Sequence, residues 1–204
     1  VNKSMRYTET GQDQAALDGL WQSPRDISIV DLKDYNNKFN NVDNYYTVYA
    51  QNPYYILGEH GNKFQENRIF GNISLDAQVT PWLSATFRFG DDVANSTLKT
   101  WRAITNSARA DYNDEVGRVG ENAYYSSELN TDFFLNFSPK LNNENFTFSA
   151  IVGHNFNQRD AQSQGSEVIG LDIPKFYNLS NSSATPAVYG TISKRRLIGL
   201  YGSI

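Results

Sequence analysis

The sequence predicts an all-β fold of antiparallel strands with long loops, and three observations predict it. The first is the alternation in "RIFGNISLDAQVTPWLSATFRFGDD", where Ile69, Gly71, Ile73, Leu75, Ala77 and Val79 interleave with Phe70, Asn72, Ser74, Asp76 and Gln78. A period of two marks a strand with one apolar side. The second is composition: 13 Tyr and 12 Phe occur in a 204-residue chain whose mean hydropathy is −0.56. Many aromatics in a chain that is polar on average point away from a compact helical domain. The third is the order of connection lengths, which run long, short, long, short, long over 1–66, 80–81, 92–123, 139–144 and 159–190. A soluble sandwich has no reason to gather every long connection at one end of its strands, whereas barrels of the outer membrane do so routinely.

Along the chain, residues 1 to about 47 are polar and aperiodic, with one short helix expected near Ile29–Tyr35 behind Ser28 as N-cap. "NPYYILGEHGNKFQENR" suggests a small hairpin with Gly61-Asn62 near its tip. Strands follow at about 67–79 and 82–91, joined tightly at Thr80-Pro81. Leu98, Trp101, Ile104 and Ala108 have helical spacing within the next polar stretch. "TDFFLNFS" and "FTFSAIVGHNF" supply two more strands, and a last one starts near Thr191, with Ile198, Leu200, Gly202 and Ile204 on one side.

The Ile69–Val79 side is expected to meet lipid, and the side of Asn72, Ser74 and Asp76 a watery lumen. Aromatics at or beyond strand ends (Trp82, Phe89, Tyr124, Tyr125, Phe146, Phe156) suit the interfacial girdles of such a barrel. No run of about 18 apolar residues exists, so no membrane helix is expected; that test says nothing of strands. A soluble antiparallel sheet buried on one side produces the same alternation; the connection lengths favour the membrane. The chain opens at Val1 without a leader pattern and stops within the strand-like "RRLIGLYGSI", so a piece of a longer protein is expected.

Net charge is −4 with pI about 5.2, which points away from a nucleic-acid partner. Without cysteine there are no disulfides or thiolate metal sites. His60 and His154 stand alone, and no nucleophile elbow, P-loop or GxGxxG is present, so neither an enzyme nor a cofactor is expected. Asp111, Asn113 and Glu115 resemble the start of a calcium loop. An EF-hand needs Gly at the sixth position and Glu at the twelfth, and these hold Val116 and Asn122. The basic "SKRR" at 193–196 either solvates a strand end or meets an anionic headgroup or acidic partner.

Three ordered stretches, "SPRDISIVDLKDY", "NPYYILGEHGNKFQENRIFGNISLDAQVTPWLSATFRFGDD" and "SKRRLIGLYGSI", resemble SusC/RagA-type TonB-linked outer-membrane proteins. The residues that carry the likeness include Asn52, Pro53, Tyr54, Arg68, Gly71, Asn72, Ser74, Trp82, Leu83, Arg88 and Gly90. The resemblance covers about half the chain; the rest falls where the family has variable loops. It implies part of a transmembrane β-barrel of 22 strands, with 1–204 as a fragment of that one domain and its plug and remaining strands absent. It further implies residence in the bacterial outer membrane and import of glycans or other bulky nutrients such as peptides. A SusD-like surface lipoprotein and TonB are the partners it implies, besides membrane lipid.

Substrate recognition by such a piece would use aromatic platforms and polar hydrogen-bonding groups. The candidates are Trp21 and Trp101 in loops, with Asn72, Asp76 and Arg88 on the lumen side. Loop packing or contact with the plug would account for the same residues. Two rival readings are a soluble β-rich carbohydrate-binding module and a small autonomous barrel acting as adhesin or structural protein.

Overall fold

The computed structural model describes residues 1–7, 15–37, 51–105, 116–140 and 146–204. It is all-β, a single six-stranded antiparallel meander in which each strand pairs with its sequence neighbours. The strands are β1 (Asn2–Tyr7), β2 (Gly61–Thr80), β3 (Leu83–Arg102), β4 (Arg118–Phe137), β5 (Ala150–Ile169) and β6 (Ala187–Ser203). Two short helices, α1 (Ala16–Trp21) and α2 (Pro53–Glu59), and a 3₁₀ turn at Asp31–Lys33 complete the described elements.

Four of the strands are 20 residues long, or roughly 66 Å at strand rise. A tilted strand needs only about 9–11 residues to cross a membrane. The excess explains why the sequence understates the strands: 61–66, 92–102, 118–123, 159–169 and 187–190, expected in loops, are strand. Alternation reports one-sided contact with an apolar medium. Where both faces meet water it fades, while the backbone ladder continues. The loop-like N-terminal stretch likewise holds β1, whose Asn2–Tyr7 pair with Asn67–Asn62 of β2.

Register fixes the faces. On one face Ile73, Phe89, Thr131, Phe156 and Ile198 form a cross-strand row. The next row toward the turns is Leu75, Phe87, Phe133, His154 and Leu200. Ala77, Ala85, Leu135 and Val152 form the row after that. These side chains are open: Leu75 is 62% exposed, Val152 60% and Leu200 83%. His154 therefore sits within the apolar band rather than at its rim.

At the turn end, Gln78 caps the Thr80-Pro81-Trp82 reversal, its amide Nε2 donating to the Thr80 carbonyl at 2.6 Å. Trp82, Phe137 and Phe148 stack edge-to-face there, with ring centroids 5.1 and 6.0 Å apart. β5 starts at Ala150, so Phe146 and Phe148 precede it instead of lying within it.

The buried apolar side chains among the described residues lie toward the loop end: Leu32, Ile56, Val119, Val168 and Leu171, with Ala15 and Ala103. The hairpin expected over 52–68 is instead helix α2 running into β2. Asn52 starts the helix, its side chain accepting from the Tyr54 N–H at 2.9 Å, with Pro53 in the first turn. The helix expected behind Ser28 is the 3₁₀ turn, entered through Val30 without a side-chain cap. Of the helical spacing proposed near 98–108, Leu98 and Trp101 belong to β3. Ala108 lies outside the described residues, as do Asp111, Asn113 and Glu115.

Candidate functional site

The face opposite the apolar band is polar, and register assembles its groups strand by strand. Asp76 lies across from Thr86, whose hydroxyl donates to the carboxylate at 2.6 Å. Ser74 lies across from Arg88, which lies across from Asp132, which lies across from Asn155. Asn155 Nδ2 donates to Asp132 Oδ1 at 2.7 Å and to Asn130 Oδ1 at 3.1 Å. Arg88 spreads over the Phe134 ring, 5.2 Å from its centroid. Asn72 faces Gly90 in the row above.

One step further toward the loops runs a charged row: Asp92, Glu128, Arg159 and Arg195. Arg68 grips Asp92 with both Nε and Nη2, the first at 2.7 Å, and also covers the Phe70 ring. Glu128 accepts from Asn157 at 2.9 Å and from Arg159 at 2.8 Å. A depression of about 390 Å³ lies along this row, lined among others by Arg68, Asp92, Glu128 and Arg159.

The five residues singled out from sequence thus separate. Asn72, Asp76 and Arg88 share the polar face. Trp101 does not: it lies in β3, not in a loop, and its register partners Gly61 and Val119 place it on the apolar band's side of the sheet. There it stacks on Tyr177 at 5.9 Å and packs against the buried Val119, Val168 and Leu171, a structural role. Trp21 ends α1 and is 82% exposed. Asn130, Asp132, Asn155, Asn157, Glu128 and Arg159 were missed. Asp132 and Asn155 already alternate onto the polar side within "TDFFLNFS" and "FTFSAIVGHNF", whereas the alternation of Asn130, Asn157, Glu128 and Arg159 shows only once β4 and β5 are extended to full length.

Two tyrosines of β6 also lie on the polar face. Tyr201 sits opposite Gly153 and Tyr189 opposite Gly165, where an added Cβ would meet their rings at 2.4 and 2.5 Å. Glycine lets each ring lie across the neighbouring strand. The Tyr189 hydroxyl donates to Asn122 Oδ1 at 2.5 Å.

At the loop end, the buried Glu59 carboxylate joins α2 to the 170–186 connection. Lys175 reaches it at 2.9 Å, Tyr35 at 3.1 Å and Tyr177 at 3.4 Å. Lys175 holds φ at 64°, a left-handed conformation for a non-glycine residue. The hydrogen bond to Glu59 holds the Lys175 ammonium above its ordinary pKa. Burial, then the Glu59 hydrogen bond and charge, pushes the Tyr35 phenol up. Burial and then the Glu59 charge do so more strongly for Tyr177. His60 Nδ1 accepts from the Ala103 N–H at 3.1 Å, which leaves Nε2 to donate to Gln51 Oε1 at 3.2 Å.

Among the described residues no three metal-ligating side chains converge. Chemically the polar face is a hydrogen-bonding and ion-pairing wall, able to hold a polar or charged ligand.

No family model matches the chain, and no curated protein matches it. Its fold is shared with solved structures. A chain of the RagAB peptide importer in its 'closed-closed' state superposes with a TM-score of 0.62 at 13% identity, covering 74% of this chain and 17% of that one. A structure of the RagAB peptide transporter gives 0.62 at 14% identity with the same coverage. The importer's 'open-open' state gives 0.61 at 14%, covering 74% of this chain and 16% of that one. The chain spans about a sixth of the length of these neighbours. At such identity the likeness establishes the fold: an antiparallel sheet of the kind found in those importer chains.

Proposed function

We propose that this chain forms part of the barrel wall of an outer-membrane importer for bulky nutrients, of the TonB-dependent SusC/RagA type. One observation carries the proposal. The sheet exposes an apolar band on one face and a hydrogen-bonded polar ladder on the other, over about the length a strand needs to cross lipid. Ile73, Leu75 and Leu200 stay open to the surroundings, while the described residues contain no second sheet to cover them. A soluble carbohydrate-binding sandwich would bury that face.

Unpaired backbone in lipid costs several kcal/mol per group, so membrane sheets close into barrels. In that setting the chain works without catalysis, beside further strands, a plug, TonB and a surface lipoprotein lid. The cargo is an oligosaccharide or a peptide; the RagAB neighbours, peptide importers by name, favour the second.

This stretch has no cysteine of its own, so single cysteines placed in it test the reading in outer membranes carrying the complete protein, with any cysteines elsewhere replaced. Ile73→Cys and Leu75→Cys should react with a lipid-soluble maleimide and resist a membrane-impermeant one. Asn72→Cys and Ser74→Cys should show the reverse preference. Equal reactivity of both pairs with the impermeant reagent would sink the barrel reading.

A further inference from the structure

Beyond the apolar band, toward the loops, the same side of the sheet holds a depression of about 540 Å³ among the described residues. It lies across β2 to β5, and over these residues each of those strands is paired on both sides. Register explains the hollow. Gln65, Thr97, Ala123 and Gln164 form one cross-strand row, in which the short Ala123 sits low between longer side chains. Lys63, Lys99, Glu121 and Ser166 form the next row, where Lys99 reaches Glu121 at 2.9 Å. Trp101, Val119 and Val168 of the loop-end cluster follow in the row above.

Height and chemistry together narrow the occupant. The last apolar pair of β2 and β3 below the hollow is Ile69 with Val93, and the two rows begin four and six residues further along β2, at Gln65 and Lys63. At a strand rise of about 3.3 Å and a tilt of about 40°, they stand about 10–15 Å above that pair. A phospholipid headgroup layer is only about 5–8 Å deep, so a lipid that fills the hollow has to carry a taller group. The lining offers amides and hydroxyls, which both donate and accept, and two ammonium groups against one carboxylate.

We propose that this hollow binds the acidic saccharide of a glycolipid in the outer leaflet, holding the barrel from its lipid side. This rests on the barrel-wall reading above, with the long loops outside the cell. Sugar hydroxyls match Gln65, Thr97, Gln164 and Ser166, and a phosphate or carboxylate on the sugar matches the surplus ammonium charge.

The test uses the complete protein in phosphatidylcholine vesicles, with or without rough lipopolysaccharide as the glycolipid. It reads the rate at which single cysteines react with a membrane-impermeant maleimide. With the glycolipid at about ten times its half-saturating level, Thr97→Cys should react about tenfold more slowly. Adding Lys63→Gln should bring the rate back to within about threefold of that in glycolipid-free vesicles, whereas Lys63→Arg should keep the protection. Asn95→Cys, nearer the band and outside the hollow, should keep most of its rate. Equal slowing at both cysteines, or slowing that Lys63→Gln leaves untouched, would be crowding at the membrane surface and would overturn the site. Equal protection by the same saccharide freed of its acyl chains would overturn the lipid assignment. Protection that follows protein density instead of glycolipid would make the hollow a contact between copies of the chain. Failure of the Ile73 and Asn72 labelling contrast would bring down the barrel reading itself.

Discussion

From Gly61 to about Arg68 strand β2 runs beside β1 and under the loop-end cluster; from Ile69 to Thr80 it runs with bare apolar side chains on one face. The two halves dispose of apolar surface in different ways. Near the loops, Trp101, Val119, Val168 and Leu171 pack against one another, as in any water-soluble protein. Near the turns, Ile73, Leu75, Val152, Ile198 and Leu200 touch no core at all. The hydrophobic effect is satisfied by protein atoms in the first; in the second the proposed wall would satisfy it through lipid. An exposed apolar band on regular, paired strands is what the proposed barrel wall requires, and is no defect of packing.

The largest effect should come from placing charge on that band. Leu75→Arg puts a guanidinium among Phe87, Phe133 and Leu200, and should cost about 2–4 kcal/mol near the middle of the bilayer. Asn72→Arg, on the opposite face, should stay within about 0.5 kcal/mol, as an ordinary solvated position. Denaturant midpoints of the complete protein refolded into lipid vesicles measure both. Equal costs would mean that the two faces do not differ in what they meet.

The next contrast sets two glycines of β2 against each other. At Gly61 an added Cβ would lie 2.6 Å from the Trp101 ring, which Tyr177 and the buried valines hold in place. Gly61→Ala should therefore cost about 1–3 kcal/mol, as overpacking does. At Gly71 nothing lies within 4 Å, so Gly71→Ala should be neutral within about 0.5 kcal/mol. The same vesicle unfolding measurement reads both. A tolerated Gly61→Ala would show that the loop-end cluster yields more easily than its packing implies.

The same contrast explains what could be read from sequence. The turn-end half was legible because a strand with one apolar and one polar face alternates strictly. Ile69–Val79 and Leu83–Phe89 displayed their faces, and with them the placement of Asn72, Asp76 and Arg88. The loop-end half was not. Lys63, Thr97, Glu121 and Gln164 stand in paired strands with water on both sides, so nothing in their order marks a strand. Trp101 resembled a loop platform for the same reason, since its partners Gly61 and Tyr177 are brought to it by tertiary structure alone. The start of α2 was there to be read in Asn52-Pro53, an N-cap followed by a first-turn proline, and it was passed over for a hairpin. Arg195 was visible only as part of a basic run; register was needed to separate it from Lys194 and Arg196.

The smallest effect belongs to the loop end and depends on pH. Glu59 holds Lys175, Tyr35 and Tyr177 together, and all three partners keep their protons more firmly in the folded protein. For Lys175 the contribution is complete below its ordinary value of 10.5 and is lost as pH rises through the raised folded value. The tyrosines act in the same direction. Above 10.0 their unfolded phenols release protons that the folded ones retain, so unfolding gains with rising pH. The 170–186 connection should therefore loosen above about pH 10, while the strand ladder at the turn end, which has no such hub, stays protected. Because Lys175 is largely exposed, solvent screening keeps its part small, and the half-buried Tyr177 hydroxyl should carry more of the effect. Limited proteolysis of the complete protein between pH 9 and 11 would resolve the two regions. Tyr177→Phe removes one titrating group and should shift the onset of cleavage within 170–186 upward. Loosening of both halves at one pH would mean that the hub does not control the loop end independently of the barrel wall.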